Sequence, residues 1–142
     1  MVLIDANLLI YAVNRDSPAH RESREWLEKV LQGAEPVGFA WVVLLAFLRV
    51  TTRRGLFEHP LSIKAALDIV DSWLEQPAAT TVHPGRDHPR ILRQLLLTSG
   101  AGGNLTTDAH LAALAMEQNA ELYSDDRDFR RFAGLRWRNP LQ

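Results

Sequence analysis

Three aspartates in this chain stand where acidic groups could be gathered for chemistry. Asp5 stops the short apolar run Val2-Leu3-Ile4, Asp126 lies just past a second such run ending at Tyr123, and Asp108 opens an apolar-periodic segment after a glycine-rich stretch. In an open parallel sheet the functional crevice lies beyond the C-terminal ends of the strands, so an acid directly after a buried strand is placed to act. Carboxylates collected at one rim repel one another and tend to keep protons unless a hard divalent cation favours their ionised forms. Mg2+ or Mn2+, bound through oxygen, is the simplest ion of that kind. Each acid also has a structural use. Asp108 in a first helical turn is favoured by the helix dipole, and Asp126 and Asp128 in a turn can bond their own backbone. Asp5, with Asn7 two residues on, is read as having the least need to serve as a cap.

The elements that must position these groups follow from the apolar pattern. Val2–Ile4 reads as a central parallel strand, with a helix close behind it through Leu8, Leu9, Ile10 and Ala12. Ser17-Pro18 predicts the cap and first turn of a helix bearing Trp26, Leu27, Val30 and Leu31 and ending at Gly33. A second strand is expected over Val37–Ala40, then a buried helix from Trp41 to Arg54, closed by Gly55 and read as the most enclosed in the chain. Ser62 caps the next helix, which stops before Pro77; Thr80–His83 reads as a strand and Asp87–Leu97 as a helix. Gly100-Ala101-Gly102-Gly103 reads as a turn, and Thr106 or Thr107 as the cap of a helix ending near Asn119. Ala120–Tyr123 and an edge segment at Leu135–Arg138 complete a sheet. Alternating strands and helices with short connections predict an α/β fold of three layers, a central mostly parallel sheet flanked by helices, in one domain over residues 1–142.

Composition narrows the function classes. A formal net charge of -1 with 23% charged residues argues against a strongly basic nucleic-acid glove, so any polyanion must be met locally. The uneven basic residues are Arg49, Arg53 and Arg54 in one run and Arg127, Arg130, Arg131, Arg136 and Arg138 near the end. No cysteine is present, which leaves oxygen or imidazole as metal ligands. The five histidines show no ligand spacing; His110 is two positions from Asp108, where a helix turns the two side chains apart. The glycine stretch lacks the Lys-Ser or Lys-Thr of a phosphate-binding loop. No segment approaches the roughly 18 apolar residues needed to span a bilayer, and the start lacks a basic region before a long apolar run, so a cytoplasmic protein with no membrane association is expected. An aspartyl phosphatase would require an acid where Asn7 stands, and a receiver domain a lysine at a late strand end, whereas Lys29 and Lys64 fall in helices.

Three segments taken in order resemble the PIN-domain family, and within it the VapC-type toxins: Val2-Leu3-Ile4-Asp5-Ala6-Asn7-Leu8-Leu9, Gly103-Asn104-Leu105-Thr106-Thr107-Asp108-Ala109-His110-Leu111-Ala112, and Ser124-Asp125-Asp126-Arg127-Asp128-Phe129. The resemblance continues to the closing Gly134-Leu135-Arg136-Trp137-Arg138-Asn139-Pro140. It implies a PIN-like fold and an Mg2+- or Mn2+-dependent endoribonuclease, the toxin of a type II toxin–antitoxin pair. By that resemblance Asp5, Asp108 and Asp126 are catalytic metal-binding acids, Asn7 orients them and Asp128 assists from just outside. Arg49 and Arg53 are candidate RNA contacts. The implied partners are the RNA substrate and a VapB-type antitoxin, with a homodimer and a toxin–antitoxin hetero-oligomer as assemblies.

One position departs from the pattern. Many relatives carry a glutamate in a run like Leu-Leu-Glu-Phe-Leu-Arg-Val, where this chain reads Leu44-Leu45-Ala46-Phe47-Leu48-Arg49-Val50. A missing carboxylate removes a negative ligand or a water-positioning base, which leaves two readings open: a nuclease with weakened metal binding, or a silent PIN domain that binds RNA or a protein without cutting.

Overall fold

The computed structural model describes residues 1–100 and 102–142; Ala101, in the turn expected over Gly100–Gly103, lies outside the described residues. Five strands, β1 (Val2–Ile4), β2 (Val37–Ala40), β3 (Ala79–Val82), β4 (Glu121–Tyr123) and β5 (Trp137–Arg138), form one sheet in the order β3-β2-β1-β4-β5. Every pairing is parallel, including the edge strand β5, so the sheet is wholly rather than mostly parallel. β1 and β2 are buried along their whole length, as a central strand covered on both faces requires. Gly38 in β2 is held to its residue type by packing: a Cβ there would meet Val82 Cγ2 at 2.6 Å and Leu3 Cδ1 at 3.0 Å.

The covering helices are α1 (Ala6–Val13), α2 (His20–Gln32), α3 (Trp41–Thr51), α4 (Ile63–Leu74), α5 (His88–Ser99) and α6 (Thr106–Glu117). Ser62 caps α4 as expected, its hydroxyl accepting from the Ala65 amide at 3.1 Å. Three sequence expectations need correction. Ser17 does not cap α2: its hydroxyl accepts from Ala19 N at 3.2 Å and its carbonyl from His20 N, so Ser17-Pro18-Ala19 form a turn and the helix starts at His20. Neither Thr106 nor Thr107 caps α6, because a 3-10 turn over Gly103–Leu105 runs directly into it and leaves Leu105 in the capping position. α3 ends at Thr51, ahead of Arg53 and Arg54. The hydroxyls of Thr51 and Thr52 fold back onto the carbonyls of Phe47 and Leu48, and Gly55 takes φ 89° in the turn beyond.

The most enclosed helix is α6 rather than α3. Ala109, Ala112, Ala113 and Ala115 have no exposed surface, and Leu111 and Leu114 are buried beside them. Alanine lets α6 approach the sheet closely, whereas α3 leaves Trp41 and Leu45 about half exposed. Trp73 of α4 is a core residue set edge-on to Phe47 at 4.8 Å, and Trp26 of α2 leans on Tyr123 at 5.2 Å. No helix among the described residues is long and apolar enough to cross a membrane.

Candidate active site

The chain moves outward from β1 through β2 to β3, then returns to the other side of β1 with β4. A crevice therefore opens where the order reverses, past the C-terminal ends of β1 and β4, and this is where open parallel sheets place their ligands. Ile4 pairs with Tyr123, and the Asp5 amide extends the ladder by donating to the Tyr123 carbonyl at 2.9 Å. Asp5 and the segment Ser124-Asp125-Asp126 thus leave the sheet side by side.

A buried hydroxyl joins them. Ser124, with no exposed surface, donates to Asp5 Oδ2 at 2.7 Å and accepts from Asn7 Nδ2 at 3.1 Å and from the Asp126 amide at 3.0 Å. Asn7 closes a second link, its Oδ1 accepting from the Asp125 amide at 3.3 Å. Every polar atom of the Asn7 side chain and the Ser124 hydroxyl faces one of these partners, so the turn after β4 is tied to the start of α1 at three points. Asn7 itself bonds Ser124 and the Asp125 amide and reaches Asp5 only through the Ser124 hydroxyl. Ser124 was not singled out in the sequence. Its signal was a small polar residue exactly between a buried strand and two acids, where an apolar residue would have continued the strand.

Asp5 proves to be the N-cap of α1, with Oδ1 accepting from Ala6 N at 2.7 Å. The expectation that it had little capping use is corrected: one oxygen caps the helix and the other binds Ser124. Burial nevertheless raises its pKa from the ordinary 3.8; the bonds from Ser124 and Ala6 pull it back, and the Asp126 charge adds to the rise. Asp126 caps the 3-10 turn Arg127–Arg131 by accepting from Asp128 N at 2.9 Å, the backbone bond expected of an aspartate in a turn. Asp108 lies in the first turn of α6, and its carboxylate caps no backbone amide among the described residues. Its pKa is raised from 3.8 to about 6, first by burial and then by the charges of Asp5, Asp126 and Asp128. The four carboxylates are therefore electrostatic neighbours although they come from three separate stretches of chain.

The donor chemistry of such a set is that of a hard divalent cation site. The donors are all carboxylate oxygens, their neighbours' charges help to raise Asp108 and Asp5, and a cation between them would reverse the sign of that interaction. His110 is not among them: its Nδ1 meets His88 Nε2 at 2.9 Å, which turns it toward α5. Arg49 and Arg53 are exposed and in no ion pair among the described residues, and Ala46 is half-buried on α3. A separate trio, Asp16, Glu58 and His59, brings its ligand atoms within 4.8 Å of one another on the exposed surface beyond the far end of α1. Asp16 stands more than forty positions before Glu58 and His59, so no local spacing joins them.

Residues 2–135 match the sequence pattern of the PIN domain. The chain is 51% identical over 140 residues to ribonuclease VapC37 of Mycobacterium tuberculosis, covering 99% of this chain and 97% of that protein. It is 44% identical over 141 residues to the VapC ribonuclease Mb2897 of Mycobacterium bovis, covering 99% and 96%. Among solved structures the fold is shared with VapBC2 from Rickettsia felis, bound to a DNA fragment from the promoter, at TM-score 0.72, 17% identity and 98% coverage of both chains. It is also shared with VapC20 of Mycobacterium tuberculosis, a sarcin-ricin loop cleaving toxin, at TM-score 0.67 and 17% identity, covering 96% of this chain and 99% of that one. With its parallel sheet, its acids at the β1/β4 reversal and full-length identity to two VapC proteins, the chain belongs to the PIN-domain family, among the VapC ribonucleases.

Proposed function

We propose that this protein is the toxin of a type II toxin–antitoxin system and acts as a metal-dependent endoribonuclease through Asp5, Asp108 and Asp126. The observation that carries the reading is the gathering of these acids at the sheet's reversal point, where burial first and then the charges of Asp5, Asp126 and Asp128 raise Asp108 to about 6. Apolar packing alone gives no reason to collect four carboxylates there. Asp5, Asp108 and Asp126 would hold Mg2+ or Mn2+, with Asp128 beside them. The ion would supply Lewis-acid activation of water and charge neutralisation at a phosphoryl group. Ser124 and Asn7 fix the direction of Asp5 and of the turn bearing Asp126, and so limit the reorganisation needed when an ion arrives. Arg49 and Arg53 supply phosphate contacts that position RNA without reading its sequence. Full-length identity to named VapC ribonucleases supports the nuclease. The VapBC complexes that share the fold support a VapB-type antitoxin as partner in a hetero-oligomer.

Ala46 sets the level of activity. With an acid missing from the family pattern, the three aspartates bind the cation more weakly than a four-acid site. The experiment is RNA cleavage by the purified chain with Mg2+, Mn2+ or chelator, beside Ala46→Glu and Asp5→Asn. We expect cation-dependent cleavage, higher in Ala46→Glu and abolished in Asp5→Asn. Cleavage that survives chelator and Asp5→Asn overturns the metal site, and equal activity with alanine or glutamate at 46 overturns the weakening. Salt-sensitive RNA binding with no cleavage in either form would assign the chain to the silent binding modules.

A further inference from the structure

Asp125 is the one acid of the Ser124–Asp126 segment whose two oxygens are both taken by side chains. Tyr11 Oη of α1 donates to Oδ2 at 3.0 Å and Asn139 Nδ2 donates to Oδ1 at 2.8 Å. Asn139 is 7% exposed, and its other amide atom accepts from Leu141 N at 3.0 Å, which fixes the amide with its donor toward Asp125. Two more bonds reach the same turn from β5. Trp137 Nε1 donates to the Ser124 carbonyl at 3.1 Å, and the Ser124 amide donates to the Arg138 carbonyl at 3.1 Å. Trp137, Arg138 and Asn139 thus grip Ser124 and Asp125 on both backbone and side chain, on the side opposite to the grip of Asn7. They lie beyond residues 2–135, the stretch that matches the PIN pattern.

The effect on the rim follows from the order of the residues. Ser124 supports Asp5 through its hydroxyl and Asp126 through the Asp126 amide, so a rotation of the peptides on either side of Asp125 moves both acids. Asp125 is anchored from two elements, α1 through Tyr11 and the C-terminal segment through Asn139. We propose that Asn139 is a positioning residue for the metal-binding rim: by holding the Asp125 carboxylate it locks the turn that presents Asp126 and supports Asp5. This rests on the reading of Asp5, Asp108 and Asp126 as the cation site.

The test is calorimetric titration of the full chain with Mn2+ in the absence of RNA, for the parent, Asn139→Ala, Tyr11→Phe, Asp126→Asn and Leu31→Ala. Removing a group hydrogen-bonded directly to a ligand costs about 10–100-fold in metal affinity. Asn139 acts one link further away, so Asn139→Ala should weaken Mn2+ binding about 3–10-fold with an unchanged circular dichroism spectrum. Tyr11→Phe keeps the ring packing and removes the other donor. It should weaken binding in the same direction, and the double variant should lose less than the product of the two losses, because both act through Asp125. Leu31→Ala destabilises the core on α2, away from the rim, and should leave Mn2+ affinity unchanged, which separates positioning from loss of stability. Mn2+ affinity in Asn139→Ala equal to that of the parent overturns the inference alone; if that variant does not fold, Tyr11→Phe decides by the same criterion. A parent that binds no Mn2+, or an Asp126→Asn variant that binds it unchanged, overturns the underlying cation site as well.

Discussion

Asp108 is a carboxylate lifted from 3.8 to about 6 by burial and by the charges of Asp5, Asp126 and Asp128. Between those two values the folded chain binds a proton that the unfolded chain has released, so in the absence of metal this group's contribution to stability falls as pH rises from 3.8 to about 6 and stays low above it. A cation needs the ionised form, and its affinity therefore moves the other way. Two outcomes are expected together. Without metal, Asp108→Asn should raise the melting temperature at pH 7.5 and bring little gain at pH 4. In the parent, Mn2+ affinity should climb as pH rises through about 6 and level off above it. Melting curves at the two pH values with calorimetric titration across pH 5 to 7.5, chosen to bracket the raised value, check both. A metal-free Asp108→Asn chain no more stable than the parent at pH 7.5 would mean that the crowded carboxylates impose no strain.

At the level of elements, what the sequence disclosed depended on whether a signal was local. The run Val2–Ile4 ending in an acid, the Ser62 cap and the alternation of strands with helices are local patterns, and each element they implied is present. Boundaries set by competition between neighbouring residues were harder to read: Ser17 spent its hydroxyl on a turn, and the 3-10 turn ahead of α6 took the capping role from two threonines. The candidate acids were legible because each sits at an element end. The links between them were not, since Ser124 to Asp5 and Asn139 to Asp125 depend on strand order, which no short motif carries. Burial misled in a related way. α3 has the longer apolar run, yet α6 lies deeper because its alanines permit close approach. That closeness has a measurable consequence. Ala113 has no free surface, so Ala113→Leu forces extra methylenes into a filled space and should cost about 1–3 kcal/mol. Urea unfolding should show a lower midpoint with an unchanged slope; a midpoint equal to that of the parent would mean that α6 has room to yield.

For the molecule as a whole, a net charge of -1 and four carboxylates around one crevice pose a problem for a protein that is to hold a polyanion. Long-range attraction by net charge is absent, so affinity for RNA must come from cations that are free to meet phosphates and close enough to the crevice to matter. Many of the arginines are engaged elsewhere: Arg21, Arg24, Arg90, Arg131 and Arg138 pair with acids, and Arg136 bonds the carbonyl of Asn119. Arg49 and Arg53 are exposed, take part in no ion pair among the described residues, and lie on or just past α3, whose first residue follows the C-terminal end of β2, the neighbour of β1. Each phosphate they neutralise releases condensed counterions, and for single strands the slope of log affinity against log salt changes by about 0.7 per contact. Replacing both by alanine should therefore flatten that slope by about 1.4 and weaken binding to a similar degree across unrelated RNA sequences. Fluorescence anisotropy with chelator present, so that binding is measured without cleavage, reads both quantities over a range of salt concentrations. A slope that does not change would place the phosphate contacts on other cations, and Arg127 and Arg130, which follow β4 and are in no ion pair among the described residues, would then be the next to replace.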